Sequence, residues 1–113
     1  MADTIDYIEF PSTDRARSGA FFRAAFGWGL TSYGPDYDGI EDAGIDGGID
    51  QAEGRVQTTM AIIRTDDIDA AQRRVESAGG VITRAQFDFP GGRRFHFREP
   101  GGNELAVWVA RED

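Results

Sequence analysis

Apolar and polar positions along the chain fall into two similar blocks. Ile5 to Phe10 is a short mixed run closed by Pro11, which predicts a strand. Ser12-Thr13-Asp14 then offers N-cap oxygens to a helix running to about Phe26 and stopped by Gly27. Further on, Thr58 to Thr65 reads as a second strand carrying Met60, Ala61, Ile62 and Ile63. Asp66 is expected to cap a second helix that reaches Ala78 and ends at Gly79-Gly80. The spacing from Asp14 to Gly27 equals that from Asp66 to Gly79, so the chain reads as an internal repeat.

The second helix is the clearer of the two. Ile68, Ala71, Val75 and Ala78 recur at helical spacing and share one face, with Arg73, Arg74 and Glu76 away from it. The first helix offers a wider apolar surface of Ala16, Ala20, Phe21, Phe22, Ala25 and Phe26. After each helix the period shortens to that of strands. Trp28–Tyr33, Asp38–Ala43 and Gly47–Ile49 are expected in the first half, and Val81–Phe87, Arg93–Arg98 and Glu104–Ala110 in the second. Pro90-Gly91-Gly92 and Pro100-Gly101-Gly102-Asn103 are hairpin chemistry. The expected fold is therefore α+β, two βαβββ modules whose helices cover one face of a curved mixed sheet and leave the other to line a groove.

Composition narrows the function classes. With 113 residues and 40% apolar content, the chain suits a single domain, module one being about 1–54 and module two about 55–113. No apolar run approaches the roughly 18 residues that span a bilayer, and the start lacks a signal-peptide pattern. A cytoplasmic location without membrane partners is expected. The absence of Cys excludes disulfides, thiolate zinc sites and a thiol nucleophile. A net charge of −8 argues against nucleic acid and is compatible with a cationic ligand, although acidic charge also simply maintains solubility.

Three ordered segments carry a family resemblance. Ile5-Asp6-Tyr7-Ile8-Glu9-Phe10 with Phe21-Phe22-Arg23-Ala24-Ala25-Phe26-Gly27-Trp28 resembles the opening of the vicinal oxygen chelate superfamily, which holds glyoxalase I, bleomycin-resistance proteins and extradiol dioxygenases. Thr65-Asp66-Asp67-Ile68-Asp69-Ala70, followed by Gly79-Gly80, is similar to its second-half opening. Arg98-Glu99-Pro100-Gly101-Gly102-Asn103-Glu104-Leu105 resembles its closing turn and last strand. The resemblance implies paired βαβββ modules, commonly a homodimer, enclosing a cavity. Fold alone does not set the chemistry.

Carried over residue by residue, the family's metal positions fall on Tyr7, near Met60 and on Ala106, which make a poor ligand set. Glu9 and Glu104 are the carboxylates available to compensate on neighbouring positions, and His96 is the single histidine. Neither a metal nor another cofactor is expected. The acidic stretch from Asp36 to Glu53 lacks EF-hand spacing and reads as a solvated hairpin region. Gly27-Trp28-Gly29 is a helix stop, not a dinucleotide fingerprint.

Strand alternation assigns the pocket side. Tyr7 and Glu9 share a face on the first strand, with Ile8 and Phe10 under the helices. Thr58, Met60, Ile62 and Arg64 share it on the fifth, Arg94, His96 and Arg98 on the seventh, and Glu104, Ala106 and Trp108 on the last. The ligand-binding candidates are Met60, Ile62, Arg64, Arg94, Ala106 and Trp108. The catalytic candidates are Glu104, His96, Tyr7 and Glu9, with His96 suited to proton transfer by an ordinary pKa of about 6.5. The favoured function is a metal-free protein that binds a small organic molecule. The alternatives are a metal-independent lyase or isomerase and a dimeric interaction subunit without a ligand.

Overall fold

The computed structural model describes residues 3–112; Met1, Ala2 and Asp113 lie outside the described residues. Strands β1 (Thr4–Pro11), β2 (Gly29–Ser32), β3 (Tyr37–Glu41), β4 (Asp46–Asp50), β5 (Met60–Arg64), β6 (Val81–Phe89), β7 (Gly92–Arg98) and β8 (Glu104–Ala110) alternate with helices α1 (Arg15–Phe26) and α2 (Ile68–Ser77). Contacts divide the chain into Tyr7–Met60, called module one below, and Ala61 onward together with the N-terminal segment through Asp6, called module two.

The modules share one topology. In module one the strands run in the order β2-β3-β4-β1, with β1 parallel to β4 and the other neighbours antiparallel. In module two the order is β6-β7-β8-β5, with β5 parallel to β8. Each helix therefore opens a long connection and each hairpin closes antiparallel neighbours. The α+β class and the repeated βαβββ order follow as expected.

In module one, Asp14 caps α1 by accepting a hydrogen bond from the backbone N–H of Arg17 at 3.1 Å. Gly27 ends the helix at φ 75°, where a side chain would be strained. The wide apolar surface expected of α1 is not buried in the chain. Only Gly19 is buried, because Leu30 of β2 packs where its Cβ would stand. Phe21 and Phe26 are 61% and 63% exposed. Phe22 packs on Phe10 at 5.3 Å between ring centres, and Trp28 on Phe22 at 4.9 Å and Phe26 at 5.4 Å.

In module two, the cap of α2 is Asp67 rather than the expected Asp66. The Thr65 hydroxyl accepts the N–H of Asp67, and this turn carries the Asp67 carboxylate to the N–H of Ala70 at 3.0 Å. Ile68 and Ala71 pack on Phe95, Phe97 and Val107, with Ile63, Val75, Ile82, Leu105 and Val109 around them. Phe95 is fully buried, which contributes about 2–3 kcal/mol relative to exposure. The hairpin from β6 to β7 turns tightly through Pro90-Gly91, Phe89 pairing with Gly92. Before β8, the Glu99 carboxylate accepts N–H groups of Gly101 and Asn103, which holds its pKa below the usual carboxylate range. No helix among the described residues is long and apolar enough to cross a membrane.

Candidate functional site

Registers fix which side chains share the face of module two away from α2. One row across the sheet reads Ile62, Ala106, His96 and Arg84, and the next reads Arg64, Trp108, Arg94 and Phe87. Strict alternation would not place both Arg84 and Phe87 there. Register shifts between Ile82 and Arg84, and between Arg84 and Phe87, turn Arg84 onto this face and restore the alternation by Phe87. Ile82 stays with the core, and Gln86 reaches Asp69 and Gln72 of α2 at 2.9 and 2.8 Å.

Guanidinium groups and rings alternate along this face. Arg64 lies over the Trp108 ring at 5.0 Å from its centre, Arg84 over Phe87 at 3.7 Å and Arg94 over Phe87 at 5.8 Å. The indole N–H of Trp108 donates to Asp6 at 2.9 Å, which fixes the ring plane, and Phe89 packs beside it at 6.1 Å. This local chemistry runs against the acidic net charge. A surface suited to a cation was compatible with that charge, yet arginines line this face.

His96 sits inside the same face, 4% exposed and edge-on to Phe87. Arg94 donates to its Nε2 from Nε at 3.2 Å. A guanidinium only donates, so the imidazole keeps its proton on Nδ1. Nδ1 faces the Glu104 carboxylate at 3.9 Å, too far for a hydrogen bond, and that carboxylate accepts from Thr83 at 2.8 Å. Glu104 favours the imidazolium, but burial first, then Arg94 and Arg84, outweigh it and push the pKa down to about 4. His96 is thus neutral near pH 7, with its lone pair engaged by Arg94. The ordinary pKa expected of it is corrected downward.

Module one carries a different cluster. The Tyr7 and Tyr37 hydroxyls meet at 2.5 Å, and Tyr37 donates to the buried Glu9 carboxylate at 2.8 Å. Gly48 lies directly beneath, where a Cβ would collide with both hydroxyls. Burial first, and then Glu9 and Tyr7, push the Tyr37 pKa far up, so it stays a protonated donor. Tyr7 and Glu9 therefore share a face as expected, joined through Tyr37. Sequence reasoning missed Tyr37, whose register opposite Asp50 only the β3–β4 pairing shows.

Of the other candidates, Met60 and Ile62 are buried on β5 and Ala106 on β8. These residues place carbon and thioether at positions where the family resemblance implies ligands. Glu9 is engaged by Tyr37, Glu104 by Thr83 and His96 by Arg94. Among the described residues no three His, Asp or Glu side chains gather as a metal site needs. A guanidinium against the only imidazole also repels a cation, so this donor set does not fit one. A cleft of ≈ 370 Å³ exists in module two, but on the α2 side of its sheet, between Ile5, Ile63, Val75, Phe97 and Pro100. None of the six ligand-binding candidates lines it.

Comparison with known proteins decides the family. Residues 4–107 match the model of the Glyoxalase/Bleomycin resistance protein/Dioxygenase superfamily. The chain belongs to that superfamily. It is 31% identical over 124 residues to the anthracycline biosynthesis protein DnrV of Streptomyces peucetius, an alignment covering 90% of this chain and 45% of DnrV. The chain thus spans about half the length of the curated relatives it matches. A superfamily member from Vibrio splendidus 12B01 superposes with a TM-score of 0.74 at 17% identity, covering 91% of this chain and 96% of that one. Methylmalonyl-CoA epimerase from Mycobacterium tuberculosis gives 0.73 at 14% identity, covering 96% and 88%. At these identities the two structures share the superfamily fold with this chain.

Proposed function

We propose that this superfamily member binds a small, planar aromatic molecule without a metal, on the face of module two away from α2. The observation that carries the reading is the row of rings and guanidiniums, Trp108 and Phe87 under Arg64, Arg94 and Arg84. Flat rings and stacked guanidiniums favour flat ligands over aliphatic ones. The names of the Streptomyces relatives agree, since anthracyclines are fused-ring aromatics. Titration of intrinsic tryptophan fluorescence with anthraquinones tests it. Saturable quenching in the micromolar range is expected, and its absence across a planar aromatic panel would remove the reading.

A second reading, metal-independent lyase or isomerase chemistry, draws on the buried Glu9 carboxylate aligned with two phenols. In that reading Glu9 or Glu104 takes a proton while Tyr7 or His96 positions one. Glu104→Gln and His96→Ala would each reduce turnover in folded protein; unchanged turnover in both would exclude it. We also propose a cytoplasmic homodimer that covers the exposed Phe21 and Phe26 rings. Light scattering that reports only monomer at tens of micromolar would contradict this.

A further inference from the structure

We infer that the molecule bound on module two is an aromatic anion, its ring plane stacked on the row and its oxyanion held by the edge donors of one exposed guanidinium, Arg64 or Arg84. This rests on the proposed binding of a planar aromatic and adds its charge and orientation.

The three arginines of the row are not equivalent. Arg94 is committed to His96 and lies half-buried within the sheet face. Arg64 and Arg84 are exposed, and among the described residues neither has a carboxylate within ion-pair distance. Other arginines among the described residues also lack such a partner, so what sets these two apart is the ring beneath each. Arg64 is laid over Trp108 and Arg84 over Phe87. Stacking orients a guanidinium while leaving its edge N–H donors unused, and those donors match a carboxylate or phenolate in two-pronged geometry.

The carboxylates of this face are already engaged. Asp6 receives the Trp108 indole, and Glu104 receives the Thr83 hydroxyl. Neither competes for the two arginines. A planar ligand that continues the stack over Arg84 would meet guanidinium edges at its rim, whereas a cationic ligand would meet repulsion. Charge complementarity therefore selects an anion here despite the overall charge of −8.

The test uses anthraquinone-2-carboxylate and its neutral counterpart anthraquinone-2-carboxamide, titrated into Trp28→Phe protein so that Trp108 is the reporter. The carboxylate is expected to bind at least tenfold more tightly than the carboxamide. Arg64→Gln or Arg84→Gln should weaken the carboxylate fivefold or more, and both should weaken the carboxamide twofold or less. The lysine variant at the responding position, which keeps the charge and loses the planar fork, should fall between. Circular dichroism confirms that each variant is folded. Equal affinity for the two probes, or carboxylate affinity unchanged in both glutamine variants, would overturn the anion assignment while leaving aromatic binding in place. Failure of both probes to bind would overturn the two readings together.

Discussion

The two modules share a topology and diverge in chemistry. Aligning the caps Asp14 and Asp67, and following the strand registers, sets Glu9, Gly48 and Gly39 of module one against Ile62, Ala106 and His96 of module two. On the same alignment Tyr37 and Asp50 stand where Arg94 and Trp108 stand. Module one leaves its sheet bare of Cβ atoms, so that the Tyr33 ring lies on Gly39 and the Tyr7 and Tyr37 hydroxyls lie over Gly48. Module two fills the equivalent positions with side chains and builds a cationic, aromatic row. A duplicated backbone thus supplies equivalent positions, and the side-chain volume at the sheet surface decides whether they hold a packed polar chain or a recognition surface.

The largest expected effect comes from removing that difference. Gly48→Ala places a methyl group against both tyrosine hydroxyls, so the Tyr7–Tyr37–Glu9 chain must break or shift. A loss of about 3 kcal/mol in urea unfolding is expected from overpacking with the lost hydrogen bonds. The matching change in module two, Ala106→Gly, should cost only about 1 kcal/mol, mostly backbone entropy. Equal costs would mean that the glycine is not what seats the phenols.

Next comes pH. His96 has a folded pKa of about 4, below its ordinary value, so the unfolded chain takes up the proton first as the solution is acidified. Its contribution to stability is constant above about pH 6.5, falls between 6.5 and 4, and is flat again below. The full shift corresponds to about 3 kcal/mol, reduced to about 2 by solvent that reaches the neighbouring arginines. His96→Asn should flatten the acid limb of the stability curve by that amount relative to the unaltered protein. The chain has a single histidine, so its proton NMR titration is unambiguous; a midpoint near 6.5 would contradict the buried, guanidinium-flanked setting.

Tyr37→Phe probes the module-one chain more gently than Gly48→Ala. It removes the phenol that donates to Glu9 and accepts from Tyr7, and keeps the ring. A cost of about 1.5 kcal/mol is expected for a hydrogen bond to a buried carboxylate. Tyr33→Phe, whose ring is largely exposed, should cost less than about 0.5 kcal/mol.

Much of this was legible in the residues. Asp14, Gly27, Gly79-Gly80 and the Pro-Gly turns mark the repeat because caps and turns are local chemistry, and period-two alternation places Tyr7 with Glu9 and His96 with Arg94. What alternation could not supply was Arg84, since a bulge resets the period without a residue that announces it. Tyr37 escaped for a different reason. Its partners Glu9 and Tyr7 lie about thirty positions earlier and meet it only through β4, a pairing that no local pattern encodes. The cap of α2 slipped by one because Asp66 and Asp67 are equally good acceptors, and the Thr65 turn chooses between them.

The smallest effect on the isolated chain is expected where the two helices differ. Helix α2 buries Ile68 and Ala71 into its core, while α1 turns Phe21 and Phe26 outward. Exposed rings contribute little to folding of one chain, so Phe21→Ser with Phe26→Ser should change unimolecular stability by less than about 0.5 kcal/mol per site. Their effect on association should be of another order, because about 25 cal/mol of stabilisation per Å² is lost for each apolar area that no longer meets a partner. Sedimentation of the double variant should show monomer at concentrations where the unaltered protein forms the proposed dimer. A dimer that survives both substitutions would show that α1 is not its interface, and the contrast between the helices would then concern folding alone.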